Sequence, residues 1–249
     1  MITVSIIGSG KVAHHLILHL LDQEGVLLQQ VYARSTKNLP AYLPKDKIIN
    51  EIDELVAVDL VLLAVSDDAI EEVSAAIKLP NQLIAHTSGG SSINAIKGTA
   101  RAGVFYMLQT FSLEKAVDFS KIPFCLEASN DTDFALLEKL ALKFSEKVFN
   151  INSEQRKSIH VAAVFVSNFV NHMYVLGSEI CKENQVPFDI LKPLILETAE
   201  KIQTLSPQKA QTGPAVRKDK KTIKKHLDFL VDSNLKEIYQ MITQSIQLK

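Results

Sequence analysis

The segment Gly8–Ala13 (GSGKVA) has the residue types of a phosphate-binding turn. It matches G-x-G-x-x-A and lies between a β-branched apolar segment and a segment with helical periodicity. Gly8 permits a tight turn, Gly10 lets the backbone approach a pyrophosphate, and Ala13 keeps the helix close to the strand. The helix N-terminus adds free N–H groups and partial positive charge. The pattern predicts a dinucleotide site, as opposed to a tight turn without a ligand, at Gly8, Ser9, Gly10, Lys11, Val12 and Ala13.

The segment after the second predicted strand indicates which dinucleotide binds. Sites for NAD usually place Asp or Glu there, about 20 residues beyond the glycine turn, to bond the ribose 2′-hydroxyl. The segment Tyr32–Lys37 contains no acid, and Arg34 can make a bidentate contact to a 2′-phosphate. Ser35 adds a hydroxyl donor. We therefore expect NADP(H) rather than NAD(H), with a solvated loop arginine as the alternative.

Two further loops follow strands that end at the same edge of the predicted sheet. Val65 and Ser66 follow the fourth strand, where ligands of open α/β sheets lie, so both are candidates for the ribose–nicotinamide side of the cofactor. Asp67 or Asp68, next in the chain, is expected to cap a helix. The fifth strand ends at His86 and Ser88, in the sequence HTSGG. We expect both to contact the cofactor, with His86 either a proton donor or a hydrogen-bonded loop residue.

One apolar helical segment of the second half carries a polar stripe. His160, Asn168, Asn171 and His172 fall near one face at helical spacing. Burying such groups without partners costs about 1–3 kcal/mol each, so the stripe requires an explanation. One explanation is a substrate site that faces the nicotinamide. The other is a hydrogen-bonded interface between helices or between subunits.

A polar loop with Gly213-Pro214 supplies a second set of candidates. Thr212 and Arg217 have the chemistry to hold an anionic or carbonyl group, whereas Asp219 is expected to cap the next helix. The basic run Arg217–Lys225 is typical of a solvated helix face, and an anionic substrate is the alternative partner.

Metal binding is not expected. His14, His15 and His19 are predicted on the outer face of the first helix without a third ligand in view. No acid or cysteine shares the polar stripe of the later helix either. Thr87-Ser88-Gly89 does not match the serine-hydrolase pattern G-x-S-x-G.

The first 150 residues alternate strand-like and helix-like segments, which predicts βαβ units and a doubly wound, mostly parallel sheet of Rossmann type. The near-continuous apolar run at Asp59–Val65 is typical of a strand covered on both faces. The predicted strands are Ile2–Gly8, Leu27–Ala33, Lys47–Asn50, Asp59–Val65, Gln82–Thr87, Gly103–Leu108, Pro123–Ala128 and Val148–Ile151.

No strand signal remains after residue 151, so residues 151–249 are predicted as an all-helical domain following the α/β domain at 1–150. Ser153 is expected to cap a helix from Glu154 to about Asn184. Phe188–Leu205 is predicted as the next helix and Pro207–Val216 as a loop. Two more helices follow, separated by a break near residues 232–234.

Composition and charge exclude several classes. Of 249 residues, 47% are hydrophobic and 22% charged, which excludes a mainly disordered chain. A formal charge of -1 gives no sign of a nucleic-acid partner. Polar residues interrupt every long apolar stretch, so no membrane span is expected. The chain starts with a strand rather than a signal peptide, and two distant cysteines fit a reducing cytoplasm.

With these residues together, the chain resembles, over nearly its whole length, bacterial proteins that join a Rossmann-like domain to a C-terminal helical domain of unknown function. Those proteins are labelled NADP oxidoreductases through kinship with deazaflavin-dependent NADP reductases, pyrroline-5-carboxylate reductase and ketopantoate reductase. The resemblance implies a homodimer built by the helical domain, and a cleft faced by Gln109, Asn168 and residues 212–217. The matching stretches are IIGSGKVA at 6–13, HTSGG at 86–90, LQTFS at 108–112, SEQRKSIHVAAVFVSNFVNH at 153–172 and QTGPAVRKD at 211–219.

The chain departs from related β-hydroxyacid dehydrogenases in one respect that bears on catalysis. They place a lysine four residues before the asparagine of the first long helix, whereas this chain has Val164 four residues before Asn168. We therefore expect Asn168 to orient a carbonyl, and His160, His172 or water to supply a proton. The predicted function is NADPH-dependent reduction of a small carbonyl or imine compound. The alternative is an NADP(H)-binding sensor or interaction protein without turnover.

Overall fold

The computed structural model describes residues 1–98 and 100–248. The chain divides into two compact units, Met1–Asn168 and Phe169–Lys249. The first unit contains every strand of the described residues together with the first half of a long helix. The last strand ends at Asn150, near the predicted domain boundary, whereas the compact units divide inside the long helix, after Asn168.

An eight-stranded sheet forms the centre of the first unit, in the order β3-β2-β1-β4-β5-β6-β7-β8. Strands β1 to β6 are parallel, β7 runs antiparallel to β6, and β8 is parallel to β7. The order 3-2-1-4-5-6 is that of the Rossmann fold, which confirms the predicted α/β class. The strands are β1 Ile2–Ile7, β2 Val26–Tyr32, β3 Ile48–Ile49, β4 Leu60–Leu63, β5 Leu83–His86, β6 Arg101–Met107, β7 Phe124–Ala128 and β8 Val148–Asn150.

Helices cover both faces of this sheet and bury its apolar side chains. Helices α1 (Lys11–Leu21) and α3 (Asp131–Ala141) contribute to one large core, and α2 (Ile70–Ala76) to a second core built on other residues of the strands. Every residue of β4 is buried, as expected for a central strand covered on both sides. The apolar packing thus fixes the strand ends, and with them the loops that carry polar residues.

A long helix begins at the end of the sheet. It consists of α4 (Ser153–Ala163), a π-helical turn (Val164–Phe169) and α5 (Val170–Glu183). Asn152, rather than the predicted Ser153, caps it: the Asn152 side chain accepts from the Gln155 backbone N–H, and the Gln155 side chain accepts from that of Asn152. The Ser153 hydroxyl instead donates to Glu127.

This helix is, within the described residues, the one that is long and apolar enough to cross a membrane by length and composition. The sequence predicts no such segment because Asn168, Asn171 and His172 interrupt it, but the mean hydropathy of the helix stays high despite these residues. Buried Arg156 joins its first turns to β7 through Glu127. The helix is therefore part of the protein fold rather than a clear membrane span.

The second unit is helical throughout its described residues, as predicted. A 3₁₀ turn at Phe188–Leu191 precedes α6, so the single helix predicted at Phe188–Leu205 is divided. The predicted loop at 207–216 contains the short helix α7. Asp219 caps α8, which confirms the sequence expectation, and Asp232 caps α9. The helices are α6 Lys192–Thr204, α7 Pro207–Ala210, α8 Lys220–Phe229 and α9 Ser233–Gln247.

Candidate active site

A cleft of about 1150 Å³ lies at the carboxyl ends of the parallel strands, where the strand order reverses between β1 and β4. All of its lining residues belong to the first unit. Ligands of open α/β sheets bind at this position. The predicted site residues that line the cleft are Gly8, Ser9, Gly10, Lys11, Val12, Arg34, Ser35, Val65, Ser66, Gln109, His160 and Asn168.

The glycine turn has the geometry that a phosphate site needs. Gly8 has φ +135°, and a Cβ there would lie 2.2 Å from the Ala64 carbonyl oxygen, so only glycine fits. A Cβ on Gly10 would meet no atom within 4 Å, which leaves the backbone open to a ligand. Helix α1 starts with neither a side-chain cap nor an acid in its first turn. Ala13 is buried against the sheet, in the packing role expected of it.

The end of the cleft next to β2 combines an exposed cation with apolar walls. Arg34 and Ser35 line it and are exposed. Within the described residues, no ion pair or hydrogen bond of the Arg34 side chain is present, so its guanidinium is available to a ligand. Ile52, Val73 and Ala76 also line the cleft, together with Glu72. An anionic group and a flat apolar ring fit this combination, as the 2′-phosphate and adenine of a dinucleotide would supply.

Two histidines of α1 hold loops that border the cleft. His14 Nδ1 is 2.7 Å from the Asn38 carbonyl oxygen, in the loop that follows Arg34. His15 Nε2 is 2.8 Å from the Ser112 carbonyl oxygen, in the loop that follows Gln109. The expectation that the histidines of this helix face outward is therefore wrong for His15, which is buried, and for His19, whose ring stacks 4.4 Å from that of Phe119. The described residues contain no cluster of histidine, cysteine and acidic residues suited to a metal ion.

The loop after β4 lines the cleft through Val65 and Ser66. The expectation that Asp67 or Asp68 caps the following helix is wrong. Both acids lie within the 3₁₀ turn Asp67–Ala69, and neither this turn nor α2 has a side-chain cap. Backbone geometry alone starts these turns, since the Ala69 N–H donates to the Ser66 carbonyl.

The loop after β5 places His86 and Ser88 inside the protein and not on the cleft surface. His86 is fully buried, its Nε2 lies 3.1 Å from the Ser92 carbonyl oxygen, and its Nδ1 accepts from the Ser88 N–H. Ser88 Oγ accepts from the N–H groups of Gly90 and Ser91. Burial, and secondarily the nearby Arg156 cation, lower the pKa of His86 to about 4. His86 is thus a neutral, hydrogen-bonded residue that holds the loop in place, as the second of its two predicted roles describes.

A buried arginine supports this loop and was not identified from the sequence. Arg156 is fully buried; its guanidinium donates to Glu127 at 2.5 Å and to the Ser91 carbonyl oxygen at 2.5 Å. The pair connects α4, β7 and the loop after β5. A charged residue in the first turn of an amphipathic helix gives no sequence signal of such burial, because arginines there are usually solvated.

The end of the cleft away from Arg34 carries polar side chains. Tyr106 of β6, Gln109, His160 of α4 and Asn168 line it. The Tyr106 hydroxyl oxygen is 3.2 Å from His160 Nδ1. Burial, with the nearby Cys125 thiol, raises the pKa of Tyr106 to about 12, so the phenol stays protonated. The sequence placed Tyr106 only within a strand, so its function as a lining residue was missed.

The π-helical turn determines which residues of the long helix face this end. Val164, Val166, Ser167 and Asn168 lie within it and line the cleft. A π turn adds a residue to one helical turn and frequently occurs at functional sites. Its position at Asn168 shifts the helix register directly at the predicted carbonyl-orienting residue.

The remaining predicted substrate residues belong to the second unit. Asn171 and His172 lie on α5, and Thr212 and Arg217 precede α8; all four are exposed. Asn168 is exposed as well, so the expected burial of the polar stripe does not occur in the single chain. No desolvation cost has to be offset there. The substrate contacts of Asn171, Thr212 and Arg217 and the proton-donor role of His172 stay predictions.

Comparisons with known proteins agree with this geometry. The sequence profile of the family described as "Domain of unknown function (DUF2520)" matches residues 122–246. The crystal structure of "putative NADP oxidoreductase BF3122" from Bacteroides fragilis is 37% identical, with a TM-score of 0.90 over 100% of this chain and 98% of that one. No curated protein matches significantly.

Two more distant structures share the fold. Protein TM1727 from Thermotoga maritima is 19% identical, with a TM-score of 0.75 over 98% of this chain and 96% of that one. A Plasmodium falciparum pyrroline carboxylate reductase with NADP bound is 13% identical, with a TM-score of 0.63 over 99% and 98%. The chain therefore resembles NAD(P)-binding oxidoreductases, and by its profile match and its full-length relative it belongs to the DUF2520 family.

Proposed function

We propose that this protein is an NADP(H)-dependent reductase of a small carbonyl or imine compound, acting in the cytoplasm. The observation that carries the proposal is that one cleft combines two sets of groups. A glycine turn and a free arginine suited to a phosphorylated dinucleotide lie at one end, and proton-donating and hydrogen-bonding groups lie at the other.

The residues present fit the cofactor. The open space beside Gly10 and the N-terminus of α1 suit a pyrophosphate, since no side chain of the described residues caps this helix start. The exposed guanidinium of Arg34 suits the 2′-phosphate, with the Ser35 hydroxyl beside it. We assign Val65 and Ser66, which line the cleft, to the ribose–nicotinamide side of the cofactor.

The chemistry at the far end follows from the groups there. The bound cofactor supplies a hydride. The Asn168 amide donates a hydrogen bond to the substrate carbonyl oxygen or holds an imine nitrogen, and stabilises the charge that develops on that atom. His160 delivers the proton, and the Gln109 side chain adds a second polar contact. Predicted contributions from Asn171, His172, Thr212 and Arg217 belong to the same proposal.

The experiment is NADPH oxidation by purified protein against a panel of uncharged ketones, keto acids, cyclic imines and flavins. We expect turnover of at least one carbonyl or imine compound, with loss of NADPH absorbance that depends on Asn168. NADPH binding without turnover of any class would contradict the reductase proposal.

A specific observation favours a second candidate, an NADP(H)-binding sensor. Val164 occupies the cleft wall four residues before Asn168, where related dehydrogenases carry a lysine. A sensor needs no proton donor, so substituting His160 and Asn168 together would leave NADPH affinity, and any partner binding linked to it, unchanged. The turnover panel separates the two functions.

We also propose that the protein is a homodimer through its helical unit. Among the apolar residues described in that unit, only Leu176, Ala215 and Leu235 are buried. So few buried side chains cannot stabilise a unit of this size, and contiguous exposed apolar surface usually marks an interface. Exposed apolar residues of the unit include Val175, Ile190, Leu194, Leu196, Ile202, Phe229, Val231 and Met241.

Sedimentation analysis tests the dimer. The wild-type chain is expected at twice its monomer mass, and Leu194→Lys with Leu196→Lys on α6 is expected to shift it toward monomer. Lys201→Leu is a control on the same helix that removes a charge instead of adding one. A monomeric wild type at micromolar concentration would contradict the proposal.

A further inference from the structure

Tyr106 and His160 form a pair at the far end of the cleft, and their contact is closely constrained. Tyr106 is 8% exposed and extends from β6, while His160 is half-buried in the last turn of α4. Their rings are perpendicular within about 20°, with an interplanar angle of 72°, and the hydroxyl oxygen lies 3.2 Å from Nδ1. Two separate elements therefore bring the two groups to hydrogen-bond distance.

The loop after β5 leaves space for this pair. A Cβ on Gly89 would lie 2.6 Å from His160 Nδ1 and 2.7 Å from the Tyr106 ring. Any other residue at position 89 would therefore displace one ring or both. The same loop is held by His86, Ser88 and the buried Arg156, so it cannot move aside easily. The first glycine of the HTSGG sequence, Gly89, is therefore explained by its contact with this pair.

The other imidazole nitrogen of His160, Nε2, remains available to a substrate. Within the described residues no hydrogen bond occupies His160 Nε2, and His160 lines the cleft. The Tyr106 phenol is neutral at physiological pH, because burial keeps its proton on, so its oxygen can accept a hydrogen bond from Nδ1–H. A histidine with one nitrogen fixed by a protein group presents the other in a defined tautomer and orientation.

We propose that Tyr106 is a positioning residue that fixes the His160 imidazole through Nδ1 and so presents Nε2 to the substrate for proton transfer. This inference rests on the proposed reductase function. In the reductive direction the imidazolium loses its Nε2 proton to the substrate oxygen or nitrogen, as the substrate carbon gains the hydride. The neutral imidazole keeps Nδ1–H donated to the Tyr106 oxygen, and solvent restores the Nε2 proton.

The chain offers a matched control. His226 Nδ1 and the Tyr239 hydroxyl oxygen form a second tyrosine–histidine pair, at 2.8 Å, on exposed helices of the second unit. Tyr239→Phe removes the same kind of hydrogen bond outside the cleft. Tyr106→Phe keeps the ring that packs beneath Gly89 and removes only the hydroxyl, so it preserves the fold.

Nitrogen NMR of the histidine side chains is the first readout and needs no turnover. We expect His160 in the wild type to show a single Nδ1–H tautomer when neutral, and a mixture in Tyr106→Phe, with no change in Tyr239→Phe. A tautomer mixture in the wild type, or a single tautomer unaffected by Tyr106→Phe, would overturn the inference.

Kinetics is the second readout. With a substrate that is turned over, we expect Tyr106→Phe to lower kcat about 10-fold while NADPH affinity stays unchanged, and His160→Ala to lower it about 100-fold. Adding Tyr106→Phe to His160→Ala is expected to cost nothing more, because the tyrosine acts through the histidine. Additive losses would contradict the positioning role.

Glycine variants add a steric test. Gly89→Ala is expected to disturb the His160 tautomer, whereas at Gly90 a Cβ would lie 3.3 Å from Asp67 Oδ2 and 4.0 Å from His160 Cδ2, so Gly90→Ala leaves the pair in place. Absence of turnover together with a tautomer that depends on Tyr106 would refute the reductase function and leave the pair intact. A failure of the reductase function can therefore be distinguished from a failure of the positioning role of Tyr106.

Discussion

The two ends of the cleft are built by different means. The phosphate end is formed mainly by backbone geometry: Gly8 with φ +135°, Gly10 with no atom near its Cβ position, and a helix start without a side-chain cap. At the far end, side chains from β6, α4 and a π turn meet across large separations in sequence. Local sequence determines the first end, whereas the second depends on tertiary packing.

The largest expected effect lies at the phosphate end. In Gly8→Ala a Cβ would overlap the Ala64 carbonyl at 2.2 Å and strain a positive φ, so we expect a loss of at least about 3 kcal/mol of unfolding free energy. Gly10→Ala is the matched control, since its Cβ meets nothing; it should unfold like the wild type but bind NADPH more weakly. Denaturant unfolding and calorimetry check both. Equal stability of the two variants would contradict the account of the turn.

At the far end, the buried loop histidine should make stability depend on pH. The unfolded chain protonates His86 near its ordinary pKa of 6.5, whereas the folded protein does so only near a pKa of about 4. The free energy of unfolding should therefore fall as pH drops from 6.5 toward 4, by roughly 3 kcal/mol from this residue. Denaturant unfolding of wild type and His86→Gln across this range measures the difference, and parallel pH curves would refute the role.

Arg34→Glu tests what distinguishes the two cofactors. Loss of charge-assisted hydrogen bonds to a 2′-phosphate costs about 1.5–3 kcal/mol, so NADPH affinity should fall about 10- to 100-fold. NADH lacks this phosphate, and its affinity should change less than about 2-fold. Lys37→Glu, next to the site but outside the cleft lining, is the control for general charge effects. Equal losses of affinity for NADPH and NADH would show that Arg34 does not bind the 2′-phosphate.

Asn168→Ala tests the far end without touching the cofactor residues. We expect kcat for a carbonyl substrate to fall at least about 10-fold, because a hydrogen bond to the developing oxyanion is lost, while NADPH affinity stays unchanged. Asn171→Ala, three positions later on the same helix, tells whether the neighbouring amide shares this role. A change in NADPH affinity with unchanged kcat would show that Asn168 contacts the cofactor rather than the substrate.

The difference between the two ends of the cleft explains which features of the fold and the site can be predicted from the sequence. The succession of strands and helices, the glycine turn and the position of Arg34 after β2 are predictable because hydrophobic periodicity and special backbone angles are local properties. Tyr106 was seen only as a strand residue, and Arg156 only as a residue of a helix start, because their partners lie 54 and 29 positions away. The π turn at Asn168 carries no composition signal. His15 was misplaced because a helix face can be covered by a distant loop.

The most direct test of the central claim is calorimetric titration of the wild-type protein with NADPH and, separately, with NADH. The account predicts saturable binding of one NADPH per chain, at least about 10-fold tighter than NADH, because the segment after β2 offers Arg34 to a 2′-phosphate and contains no acid to bond a 2′-hydroxyl. Absence of binding, or equal affinity for the two dinucleotides, would contradict the assignment of this cleft to NADP(H).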